Sequence, residues 1–294
     1  MTTTQIDTWH KPLPSQLAES SRIGAEISIT GKWVPKTAGG LFRKSPDSKE
    51  MLQEWEDIHA GARTDPGILA TEINHAVGAD AVLVHHIFRD ADAVRHYFST
   101  TATKHMQALL RVAKPEHHLV RGITVPAAVR EAISAKSVPA SFGDYLYGYV
   151  KDNYRLPDPK TAIQVTAKWT CAENDPERLD ELKYWWQQVA AEAHQIEKGL
   201  SRFEVFQVHG ENAVITHETF DNTSELQFHL AKGTAHKYKK HLDKIAAPEC
   251  YFFRGPVAWT IRTYSKFLHL PATYSNLGSN FITPGGSMSA GRTD

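Results

Sequence analysis

The feature that most constrains this chain is that its sequence passes through the same pattern twice. The segment AVLVHHIFRDADAVRHYF from Ala81 finds a counterpart in AVITHETFDNTSELQFHL from Ala213. Ala81, Val82, His85 and Phe88 match Ala213, Val214, His217 and Phe220 at a constant spacing of 132 residues (His85 to His217). Gly67, Glu72 and Gly78 match Gly199, Glu204 and Gly210 at the same spacing. One inserted residue then shifts the register to 133, in which His96, Ala102, Lys104 and Leu109 meet His229, Ala235, Lys237 and Leu242. Pro115-Glu116 and Arg121-Gly122 close the match against Pro248-Glu249 and Arg254-Gly255. A run of pairs across several elements with a single gap reads as a tandem repeat.

Each copy carries the same order of local patterns. An alternating stretch opens it, Ala25 to Thr30 or Ala162 to Trp169. A helix start follows at Ser45-Pro46 or Asp175-Pro176, pairing a capping side chain with proline at the first helical position. Leu52, Trp55, His59 and Ala62, and Leu179, Leu182, Trp186, Val189 and Ala193, then recur at helical spacing. Two short strands around Gly78 or Gly210 come next, then a second helix predicted over 90–112 or 222–245, and a last strand near His118 or Tyr251. The order is βαββαβ, the ferredoxin-like unit. Such a sheet has helices on one face and an apolar face left to cover. The expected fold class is therefore α+β: two ferredoxin-like units packed sheet to sheet as an intrachain pseudo-dimer. Pairing between chains, as a homo-oligomer, is the alternative. The divisions expected are an N-terminal arm (1–22), a first repeat (23–124), a linker or lid (125–160), a second repeat (161–260) and a C-terminal tail (261–294). The linker carries a helical candidate, Ala127 to Ala135, and Tyr145, Tyr147, Tyr149 and Tyr154.

Charge excludes some partners. Lys+Arg and Asp+Glu are both 33, so no clustered basic surface points to nucleic acid. The two cysteines, Cys171 and Cys250, are too few for a disulfide framework. Without a signal-like leader or a run of roughly 18 apolar residues, the expectation is a cytoplasmic protein with no membrane partner.

From Gly199 through the Gly210 turn and Ala213–Phe220 to the helix holding His229, the second copy resembles the antibiotic biosynthesis monooxygenase (ABM) branch of the dimeric α/β-barrel superfamily, and so does the first. The resemblance covers roughly 100 residues of each copy. It implies a pocket between the sheet and its helices and a small-molecule substrate oxidised with O2. That superfamily includes cofactor-independent monooxygenases acting on phenols and quinols, haem-degrading oxygenases, haem enzymes, lactone isomerases and polyketide cyclases. In the haem branch the axial histidine falls near His105 or His241, and Phe88 and Phe220 stand where haem-degrading relatives carry tryptophan.

Helical geometry sorts the histidines. With Phe98 at the centre of the second helix's buried face, His105 falls about 20° away and His96 nearly opposite. The same wheel expects His229 and His236 to face solvent. His105 and, on the third strand, His86 are the candidate bases, with Tyr238 (the counterpart of His105) and Glu218 (the counterpart of His86) orienting substrate. Alternation puts His86 on one face of its strand and His85 on the other, and the repeated pair His85/His217 reads as a hydrogen-bonded core pair. Trp55, His59, Trp186, Phe88 and Phe220 would line the substrate pocket or fill the core. No HExxH, P-loop, dinucleotide fingerprint or nucleophile elbow occurs, and no metal site is expected. The leading expectation is a cofactor-independent monooxygenase acting on a flat aromatic or polyketide-like molecule. A haem protein, an isomerase or cyclase, and a non-catalytic ligand-binding module are the alternatives.

Overall fold

The structure is a computed structural model and describes residues 25–37, 45–151, 158, 160–172 and 175–275. The first half contains β1 (Ile27–Pro35), α1 (Pro46–Ala62), β2 (Ile68–His75), β3 (Val82–Phe88), α2 (Ala91–Ser99), α3 (Thr103–Val112), β4 (Ala113–Gly122), α4 (Ala127–Ser134) and β5 (Ala140–Val150). The second half repeats that order as β6 (Ile163–Cys171), α5 (Pro176–Ile196), β7 (Leu200–Val208), β8 (Ala213–Phe220), α6 (Thr223–Ala231), α7 (Thr234–Ile245), β9 (Ala246–Arg254), α8 (Trp259–Phe267) and β10 (Ala272–Ser275). The caps are those the sequence implies: Ser45 Oγ accepts from Ser48 N at 3.0 Å and Asp175 Oδ1 from Glu177 N at 2.9 Å. Among the described residues no helix is long and apolar enough to cross a membrane.

Among the described residues the ten strands form one sheet in the order β10-β9-β6-β8-β7-β5-β4-β1-β3-β2. Each unit contributes the ferredoxin-like order, β4-β1-β3-β2 and β9-β6-β8-β7. The stretch expected as linker or lid is instead part of the sheet: β5 runs parallel to β4 and antiparallel to β7, joining the two units. The end of the expected second repeat and the start of the expected tail supply the equivalent pair, α8 and β10, with β10 parallel to β9. At its far edge β10 meets the turn after β2, the outer strand of the first unit, through the Ala76–Ser275 bridge and a 2.7 Å bond from Val77 N to Tyr274 O. The sheet therefore curls into a nearly closed barrel, which leaves little strand edge unpaired.

Alternation along the strands divides the core. Val82, Val84 and Phe88, like Val214 and Phe220, face the helices and join the two helix–sheet layers. Leu83, Ala213 and Ile215 face the barrel interior with Leu119, Phe206 and Phe252. That interior also buries charge. Arg254 Nη1 lies 2.7 Å from Glu72 Oε1, and its other amino group donates to Gln164 Oε1. Its counterpart Arg121 lies 3.7 Å from Glu204. Each pair joins one unit to the other. His85 and His217 sit among these arginines, 2.8 Å from Thr30 Oγ1 and 3.0 Å from Thr166 Oγ1 respectively. Burial, then the nearby guanidinium groups, push both imidazoles well below their ordinary pKa, so they are neutral core groups.

The second helix of each unit differs from expectation: it is two helices. Ser99, Thr100 and Thr103 donate their hydroxyls to the carbonyls of His96, His96 and Phe98, ending α2 with side-chain bonds that compete with the helix. Lys232 and Gly233 break the second copy at the same place. Because α2 and α6 start at Ala91 and Thr223, they keep the spacing of 132, and the inserted residue falls after them. His229 is consequently the counterpart of Tyr97, not of His96.

One close approach is specific to the first unit. A Cβ on Gly31 would lie 2.2 Å from His118 Cδ2, so the buried imidazole lies against bare backbone. Gly31→Ala is expected to cost about 1–3 kcal/mol by overpacking. Thermal unfolding of Gly31→Ala beside Gly31→Ala/His118→Ala tests this, since removing the ring should restore most of the loss.

Candidate active site

A cleft opens between the sheet and the helices of the second unit. It measures about 550 Å³ counted to its mouth. Its lining is mostly aromatic and aliphatic, which suits an apolar ring. Trp169 and Trp186 pack edge to face at 5.2 Å on one side, and Tyr251 and Phe253 stack at 5.8 Å in the wall. Leu226, Leu230, Leu242, Leu268 and Leu270 complete the apolar lining. Three ionisable groups besides Tyr251 reach it: Glu218, His229 and Lys239, the last paired with Asp243 one turn on.

These groups are placed by ordinary local rules. Glu218 is on the helix-facing side of β8, two residues from Phe220. His229 lies on α6 three residues after buried Leu226, and packs on Phe220 at 5.2 Å. Glu197 caps the C-terminus of α5 and reaches the first turn of α7, where its Oε1 accepts from Thr234 N and Oγ1, each at 2.7 Å. The N-terminus of that helix favours the carboxylate. A Cβ on Gly233 would meet the same oxygen at 2.6 Å, so this turn needs glycine. Glu197 Oε2 is 2.7 Å from His229 Nδ1, and His229 Nε2 is 3.4 Å from Glu218 Oε2.

The result is a buried Glu197–His229–Glu218 relay ending in an apolar slot. Burial, aided by the charge of Glu197 and opposed by His229, raises Glu218 from 4.5 to about 7. Burial works against the His229 imidazolium, but Glu218 and Glu197 outweigh it and raise the pKa. Glu197 is itself pulled down despite burial, because His229 and Thr234 donate to it. A carboxyl that titrates near neutrality, beside an oriented imidazole, can take or give a proton at working pH. Protonation belongs to the pair jointly.

The first unit has no such relay at the equivalent positions: His86 replaces Glu218, Tyr97 replaces His229 and Asp65 replaces Glu197. His86 is buried, 3.2 Å from Thr71 Oγ1, and stacks at 6.0 Å on Trp55. Burial, then His59, pushes its pKa down to about 3, so it stays neutral and is a weak base. Trp55, His59 and Phe88 are buried in that first-unit layer.

Of the residues singled out from the sequence, the structure gathers Glu218, Trp186 and, one shell behind, Phe220 at the slot. His105 lies outside it, in an open groove between α1 and α3 with Nδ1 2.8 Å from Glu54 Oε2. The helix break displaces it from the stripe of Met106, Leu109 and Val112 that α3 buries. In the same groove ligand atoms of Glu54, Asp57 and His105 come within 4.8 Å of one another, although Lys104 and Arg111 line it too. Tyr238 donates to Glu192 Oε2 at 2.7 Å, and His241 stacks on Trp185 at 4.1 Å, both between α5 and α7 and away from the slot. His236 is exposed as expected, whereas His229 is 2% exposed, contrary to expectation. Glu197, His229, Trp169, Lys239, Tyr251, Phe253 and the leucines of the lining are among the slot residues that the sequence does not single out as candidates. Carrying the spacing of 132 through α6 would have set His229 opposite Tyr97 and beside the buried Phe98 position.

No family model matches the chain, and no curated protein sequence does. Solved structures do. An anthrone oxidase-like protein superposes with a TM-score of 0.51 at 12% identity, covering 95% of this chain and 99% of its own. A candidate monooxygenase from Fusobacterium nucleatum subsp. nucleatum superposes with a TM-score of 0.50 at 12% identity, covering 77% of this chain and 90% of its own. The fold is the one these structures share, an α+β sheet curled into a nearly closed barrel. At this identity the likeness establishes the architecture, and the chemistry has to be argued from the site.

Proposed function

We propose that the chain is an oxygenase-type enzyme that oxidises a flat hydroxyaromatic or polyketide-like molecule with O2, using the slot of the second unit and no cofactor. The observation that carries this reading is the Glu218 carboxyl, set near pKa 7 in an aromatic-lined slot and coupled to an imidazole held by a second carboxylate. Glu218, with His229 behind it, would remove the phenolic proton. The electron-rich anion then bonds through a ring carbon to O2. The peroxide anion takes the proton back, and the resulting hydroperoxide loses water, made from its terminal OH and the ring hydrogen, leaving a quinone carbonyl. One oxygen atom enters the product and the other leaves as water. Trp169 and Trp186 in the slot wall would pack against the ring.

The haem reading fits the residues poorly. His105 and His241 lie outside the slot, and the Nε2 of His229 faces a carboxyl at 3.4 Å, where an iron would have to bind. The slot offers one lysine, already paired, for two propionates. An isomerase or cyclase would use the same relay without O2. Oxygen uptake separates these readings: with anthrone-type and quinol-type phenols as probes, the proposal expects one O2 consumed per quinone formed. Conversion of a probe with no O2 uptake would favour the isomerase or cyclase.

A further inference from the structure

We propose that the outer face of α8 docks the protein on an anionic membrane surface, with the mouth of the slot beside the bilayer. Trp259 and Phe267 on this helix are 70% and 74% exposed, and Phe228 on neighbouring α6 is 40% exposed. On the wheel, Trp259, Thr263, Lys266 and Phe267 form the outward stripe, while Ile261 and Ser265 are buried opposite. Arg262 and Lys266 give this stretch positive charge, and no acidic residue occurs between Glu249 and Asp294. In a chain with equal numbers of acidic and basic residues, that is a local imbalance. Exposed tryptophan and phenylalanine flanked by basic side chains match the interfacial zone of an anionic bilayer, where aromatic rings settle at headgroup level.

The equivalent helix of the first unit shows that the fold does not require this face. Ser137 and His269, both left-handed with φ of 56° and 55°, fix the alignment of α4 with α8. There Ala127 stands for Trp259, Ala135 for Phe267, and Arg130 adjoins Glu131. Only the helix of the slot-bearing unit carries the aromatic face. It is also joined to the slot: Tyr264 donates to the Leu230 carbonyl at 3.3 Å, and the turn after α8 supplies Leu268 and Leu270 to the lining. An apolar aromatic molecule dissolved in the bilayer would then enter without crossing water.

Co-sedimentation of the full chain with vesicles of phosphatidylcholine alone, and of phosphatidylcholine mixed with phosphatidylglycerol, tests the proposal. The expected result is binding to the anionic vesicles only, weakened by salt. Trp259→Ser/Phe267→Ser should lower it about tenfold and Lys266→Ser about fivefold, with unchanged melting temperatures because these side chains are exposed. Failure to bind anionic vesicles, equal binding to neutral ones, or binding untouched by the substitutions would overturn it. So would a chain dimer in sedimentation velocity that the double variant dissolves, because the face would then belong to a second copy. Vesicle binding does not depend on turnover, so its failure leaves the proposed chemistry standing.

Discussion

Glu218→Gln is expected to lower turnover of a hydroxyaromatic substrate by about 10²–10⁴-fold, the range for loss of a general base, while the protein stays folded. The amide keeps the shape of the carboxyl but cannot accept the proton. Stability gives an independent readout. The folded-state pKa of Glu218 is raised to about 7 from 4.5, so the folded protein holds this proton more tightly than the unfolded chain does. Its effect is therefore a stability lost as pH rises from about 4.5 to about 7, amounting to roughly 3 kcal/mol once the carboxyl is ionised. His229, also raised, acts in the same direction. Other carboxylates have their own pH dependence, so the difference between wild type and variant isolates this one. Melting curves at a series of pH values should show Glu218→Gln gaining on wild type toward pH 8. Parallel curves would mean that Glu218 is not held in a raised state.

The second large effect concerns the barrel itself. Arg254→Met should destabilise the fold by about 3–5 kcal/mol, because Glu72 would be left charged, buried and without its partner. Arg254→Met/Glu72→Met removes both charges and should recover most of that loss. The two residues belong to different units, so the coupling in such a double-mutant cycle reports on the packing of one unit against the other. Denaturant unfolding of the four proteins checks it, and additive single effects would speak against the contact.

Much of this architecture could be read from residues alone. Ser45-Pro46 and Asp175-Pro176 start helices because their chemistry is local, and the alternation about His85 and His86 separates two faces for the same reason. The breaks at Thr100 and Gly233 were harder, because hydroxyl-to-carbonyl bonds end a helix without a proline. Missing them carried the wheel from Phe98 to His105 and drew a half-buried histidine of the α1–α3 groove toward the buried face. The same gap, placed one helix too early, paired His229 with solvent-facing His96. Strands β5 and β10 were hidden for a different reason: they are held by partners far away in sequence, and neither Tyr145 nor Tyr274 reveals which strand lies beside it. Glu197 was invisible because its role comes from the N-terminus of a helix that starts 37 residues later, at Thr234.

The most direct test of the central claim is oxygen uptake by wild type, Glu218→Gln and His105→Ala with one hydroxyaromatic probe that the wild type oxidises. The slot account predicts that Glu218→Gln loses about 10²-fold or more while His105→Ala keeps the wild-type rate. Retained activity in Glu218→Gln, with loss in His105→Ala, would contradict it and move the chemistry to the groove between α1 and α3.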